Sequence, residues 1–127
     1  MGHPLSWVAV AVGAALGAWL RWGLTLFLSH LHAHIQLGTL VANLVGGYLI
    51  GLALGFFETS PALSPVWRLF VITGFLGGLT TFSSFSAEAM VLMQRGHYSW
   101  ALAHSAVHVL GSIGCCIAGY ATWRAIA

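Results

Sequence analysis

The chain has 127 residues, 59% of them hydrophobic, and only 5% charged: four arginines and two glutamates, with no lysine and no aspartate. A soluble domain carries about 25% charged residues, so this composition excludes an ordinary soluble protein. A net charge of +2, thinly spread, also excludes a nucleic-acid surface. What remains is an all-α membrane protein with one small domain over residues 1–127 and no room for a second.

A bilayer core about 30 Å thick is crossed by a helix of about 20 apolar residues. Four segments meet that length, approximately Leu5 to Leu28, Leu37 to Phe57, Val66 to Met93 and Tyr98 to Ile126. The first is long and lacks the basic start of a cleaved signal peptide. The connections are short: Ser29 to Gln36, Glu58 to Pro65 with its two prolines, and a tight turn at Gln94 to His97.

In the first segment Gly13 and Gly17 lie four apart, and in the second Gly47, Gly51 and Gly55 share one register. Small residues at this spacing let helix backbones approach closely in lipid. Arg21 sits between Trp19 and Trp22. It is either an interfacial anchor or a positive charge at the mouth of an anion path. Counting arginines by side places Arg68 and Arg124 on one face of the membrane and Arg21 and Arg95 on the other. An even count sets no orientation, so opposite copies can insert and pair as an antiparallel, dual-topology homodimer. Four short helices alone enclose a water path poorly, which also predicts an oligomer.

Asn43, the only asparagine, lies mid-segment with Thr39 one turn before it. It either bonds between helices or aims a neutral donor at an anion. The third segment departs most from ordinary spanning sequence. Gly74 to Glu88 reads GFLGGLTTFSSFSAE, and polar groups at membrane depth are costly unless they face protein, water or an ion. Gly74, Gly77 and Gly78 predict either a helix break or a close crossing, and a break frees carbonyls suited to a small cation. Phe82 and Phe85 share a face, and their positive ring edges can line an anion path. Thr81, Ser84 and Glu88 fall on the neighbouring stripe, with Ser83 beside them. Glu88 is the one acid within a span, a carrier group or part of a wet mouth.

In the fourth segment His104, His108 and Ser112 step by four, giving a polar track. The two histidines can chelate a metal, but no third ligand lies nearby in sequence. His30, His32 and His34 read as solvated loop residues. Cys115 and Cys116 are adjacent, which disfavours a bridge between them, and they read as small packing residues.

At GTLVANLVGGYLIG (Gly38 to Gly51) and TGFLGGLTTFSSFSAE (Thr73 to Glu88), with AWLRW in the first span, the chain strongly resembles the Fluc, or CrcB, family of bacterial fluoride channels. The resemblance implies passive, selective fluoride export across the inner membrane, with two pores in an antiparallel homodimer. It assigns Asn43, Phe82 and Phe85 to the pore, with Thr39, Ser83, Ser84, His104, His108 and Ser112 along it, and Arg21 and Glu88 to a vestibule. It assigns the Gly77 and Thr80 carbonyls to a structural sodium ion at the dimer centre, where the third helix breaks. The family typically has hydroxyl side chains where this chain has His104 and His108. A small multidrug-type, proton-coupled antiporter is the rival reading, but it needs a carboxylate on the first helix. A purely structural subunit is a third, and an enzyme is least supported, because no nucleophile and base pair is visible.

Overall fold

A computed structural model of the chain describes residues 3–127; the expected domain's first two positions lie outside that range. Four helices are long and apolar enough to cross a bilayer, spanning Pro4–Leu28, Leu37–Glu58, Pro65–Gln94 and Tyr98–Ile126. The first two are α1 (Pro4–Leu28) and α2 (Leu37–Glu58). The third span is composite. It begins as α3 (Pro65–Arg68), widens to π-helical winding over Leu69–Leu76, returns as α4 (Gly77–Leu79) and resumes after a break as α5 (Ser83–Gln94). The last is α6 (Tyr98–Ile126).

The ends follow from local chemistry. Pro4 and Pro65 each open a helix, where a missing N–H costs nothing. His3 Nδ1 accepts from the Leu5 amide at 3.0 Å, and Ser64 Oγ from the Val66 amide at 3.3 Å. The span ending at Gln94 closes on a left-handed glycine. Gly96 has φ 78°, the only positive φ among the described residues. Its amide reaches the Met93 carbonyl at 3.0 Å, and the His97 amide reaches Leu92 at 2.8 Å, the two bonds of a Schellman stop.

Glycines set the packing. A Cβ at Gly51 would stand 2.1 Å from the Cys116 carbonyl oxygen, and one at Gly119 would stand 2.0 Å from that of Tyr48, so α2 and α6 run in backbone contact. Gly13 and Gly17 do the same for α1 against Phe70 and Phe75 of the third span, and Gly74 and Gly78 answer from the other side against Val10 and Ala14. The first half of the third span therefore lies on α1, while α5 lies on α6. The break lets one chain segment change neighbours halfway across. Both readings of the third-span glycines hold: they make a close crossing, and the helix breaks just beyond them, at Thr80, where ψ is 155°. Leu76 and Leu79, among the most buried side chains, fill the core with Ala42 and Ala53.

Candidate functional site

A break in a spanning helix strands backbone groups, and here one side chain takes up both backbone groups of one residue. Asn43 Oδ1 accepts from the Thr81 amide at 2.8 Å, and Asn43 Nδ2 donates to the Thr81 carbonyl at 3.0 Å. These two bonds fix which end of the amide is which. The second N–H of Nδ2 then points to His108 Nδ1, 3.0 Å away. His108 must accept there, which places its own proton on Nε2 when the ring is neutral. Asn43 thus bonds between spans, and both of its donors are engaged.

Arg21 is found at the same break. Its Nε donates to the Gly78 carbonyl at 3.2 Å, while Trp19 and Trp22 face outward. The guanidinium is drawn to a carbonyl that the break has released, instead of standing among the residues that line a cavity with Glu88. The Gly77 and Thr80 carbonyls are released in a similar way. The amides four residues on, Thr81 and Ser84, are bonded instead to Asn43 Oδ1 and to Thr81 Oγ1 at 3.0 Å.

Beside the break lies a groove of about 360 Å³, lined by Asn43, Gly47, Thr80, Thr81, Phe82, Phe85, His108, Val109, Ser112 and Ile113. The two phenyl rings meet edge to face, with centroids 5.3 Å apart. Phe85 is buried, but Phe82, at the start of α5, is 76% exposed. Ser83 is exposed and shares a 3.3 Å contact with Thr81 Oγ1; Ser84 is half-buried, and neither serine lines the groove.

A second cavity of about 300 Å³ opens at the loop end of the bundle, lined by Ala33, His34, Gln36, Ala87, Glu88, Val91, Leu92, Arg95 and His97. At its mouth His34 stacks on Trp100, with ring centroids 4.8 Å apart, and meets His97 edge to face. Glu88 points from this cavity into the protein. Thr39 donates to Glu88 Oε2 at 2.6 Å, and Glu88 Oε1 lies 3.6 Å from His104 Nε2. His104 Nε2 also donates to the Phe85 carbonyl at 3.2 Å. The rings of His104 and His108 are 4.4 Å apart, and both are almost wholly buried. One polar line therefore runs from the outer cavity through Glu88, Thr39 and His104 to His108, Asn43 and the groove.

Three buried polar atoms on this line find no hydrogen-bond partner among the described residues: Glu88 Oε1, His104 Nδ1 and His108 Nε2. Leaving such a group unpaired costs about 1–3 kcal/mol, and all three lie in one cluster. Sequence reasoning found Asn43 and the two histidines from their types and spacing. It missed the Thr39–Glu88 bond, the pairing of Asn43 with Thr81, and Glu88 as neighbour to His104. The only signal was that Thr39, Asn43 and Glu88 were polar at membrane depth.

A family model described as "CrcB-like protein, Camphor Resistance (CrcB)" matches residues 8–120. Among similar proteins, a "Fluoride-specific ion channel FluC" of Cupriavidus pinatubonensis is 56% identical over 124 residues, covering 98% of each chain. One of Pseudomonas putida is 57% identical over 118 residues, 93% of each, and one of Nitrosomonas europaea 56% over 115 residues, 91% of each. Matched along nearly its whole length by that model and by these relatives, the chain belongs to the CrcB-like family.

Proposed function

We propose that this chain is a fluoride-specific ion channel of the bacterial inner membrane, which lets fluoride leave the cytoplasm passively, down its gradient. The observation that carries the reading is the groove in which Asn43, Phe82, Phe85, His108 and Ser112 converge beside the helix break. It occurs in a chain more than half identical to proteins named as fluoride-specific channels. A channel moves its ion without chemical conversion, so the chain is not an enzyme.

Fluoride is small and tightly hydrated, and stripping its water is costly unless fixed donors replace it. On this reading the His108 Nε2–H, left without a protein partner, the Ser112 hydroxyl and the edges of the two phenyl rings meet the ion in turn. Asn43 acts one step back. By donating to His108 Nδ1 it holds the imidazole with its other N–H turned donor. Thr39 and His104 hold Glu88 at the inner end of the outer cavity, which Arg95 also lines. Ser83 and Ser84 border the entrance to the break, and Arg21 steadies the break itself.

The groove is open along the flank where Phe82 is exposed, which suits closure by a second copy of the chain. The even split of arginines suits that copy being antiparallel, which gives two pores per dimer. The Gly77 and Thr80 carbonyls, released from helical bonding, fit a hard cation such as sodium. It would supply fixed positive charge holding the broken helices of two copies together.

The antiporter alternative has no support: the relatives are named as channels, and α1 carries no carboxylate. Purified protein in liposomes, followed with a fluoride electrode, is expected to release fluoride down its gradient with little chloride flux. Comparable chloride flux overturns the selectivity, and no fluoride release overturns the function.

A further inference from the structure

His104 and His108 stand one turn apart on α6, and α5 brings Glu88 against them. One ligand atom from each of the three lies within 4.8 Å of the other two. A carboxylate thus completes a triad of which the sequence displayed only the two histidines. We propose that Glu88, His104 and His108 form a binding site for a divalent transition-metal ion of the zinc class, set across the polar line between the outer cavity and the groove, and that the bound ion closes that line to fluoride. The closure rests on the proposed function; the metal site does not.

Donor chemistry selects the ion. Two imidazoles and one carboxylate suit zinc or cobalt(II), whereas sodium, magnesium and calcium favour all-oxygen shells. A metal at about 2.0–2.2 Å from each of its tetrahedral ligands holds them roughly 3.3–3.6 Å apart. Side-chain movements of about 1 Å would therefore close the triad. Glu88 Oε1, which faces His104 at 3.6 Å, is buried and has no hydrogen-bond partner among the described residues. Access is from the outer cavity, onto which Glu88 opens with its side chain 20% exposed.

Binding has a cost that limits its strength. A ring nitrogen that takes a metal must offer a lone pair. Before a metal binds, His108 Nδ1 uses its lone pair to accept from Asn43, and His104 Nε2–H donates a hydrogen bond to the Phe85 carbonyl. At least one of these bonds must be remade. The expectation is a micromolar site, filled when zinc is in excess and otherwise open.

The test uses full-length, tag-free protein in detergent, titrated calorimetrically with zinc chloride and by visible absorption with cobalt(II). One ion per chain is expected. His108→Ser, His104→Gln and Glu88→Gln should each weaken binding at least tenfold, with folding checked by size-exclusion chromatography and circular dichroism. A control bearing His30→Asn, His32→Asn, His34→Asn and His97→Asn should keep the bound ion and its cobalt spectrum. Binding that survives all three triad substitutions, or disappears in the loop-histidine control alone, overturns the site. In liposomes zinc should slow fluoride efflux by the wild type at least fivefold. Zinc that binds at the triad without slowing efflux overturns the closure. Absence of efflux before zinc is added counts against the proposed function and leaves the titration to decide the site.

Discussion

Asn43 takes up both backbone groups of Thr81 at the break, and this sets what its loss should do. Asn43→Leu leaves the Thr81 N–H and C=O without their partner, at about 1–3 kcal/mol for each unsatisfied group. Thermal unfolding in detergent should fall accordingly, and fluoride efflux should drop at least tenfold; wild-type values for both would rule out the pairing. Phe85→Ile removes a buried ring that lines the groove and lies against both His104 and His108. Efflux is expected to fall at least tenfold while the protein elutes unchanged in size-exclusion chromatography. Unaltered flux would reject a role for the ring edge. At this scale the sequence is readable where a residue is chemically out of place. A lone amide and a lone acid in lipid announce themselves, and so do histidines one turn apart. Their partners do not, because Asn43 meets Thr81 across 38 residues and Thr39 meets Glu88 across 49. Only the tertiary fold supplies those pairs.

Among the elements, the tightest constraint is the contact of α2 with α6. Gly51→Ala drives a methyl group into the Cys116 carbonyl, and overpacking of this kind costs about 1–3 kcal/mol. Gly114, on the same α6, has nothing within 4 Å of an added Cβ. There alanine should be neutral or should stabilise by up to about 1 kcal/mol through helix propensity. Melting temperatures of the two variants should therefore move in opposite directions or differ clearly, and equal shifts would contradict the crossing. Spans were legible nearly to the residue: the expected Leu5 to Leu28 is Pro4–Leu28, and the expected Val66 to Met93 is Pro65–Gln94. Length, prolines and the Gly96 turn determine those limits. The wide winding of Leu69–Leu76 was not legible, because an apolar run reads the same whether each amide bonds four or five residues back. Here the Gly77 amide reaches Ile72, five back.

For the whole molecule, orientation is the exposed question. Arginines are divided evenly by side, and Arg21 is drawn inward to the Gly78 carbonyl. Ser60→Lys with Ala62→Lys would give one face four basic residues against two. That bias should fix a single orientation, and fluoride efflux from cells expressing this variant alone should fall at least fivefold. Co-expression with a variant biased the other way, His30→Lys with Leu31→Lys, should restore it. Full flux from the first variant alone would end the antiparallel reading. The pairing of Asn43 with Thr81 has a last consequence, for motion. Swinging α5 aside would break both bonds that hold the Thr81 backbone. A joint latched from both sides does not serve as a hinge. The second and third spans are therefore expected to move as one body at this joint.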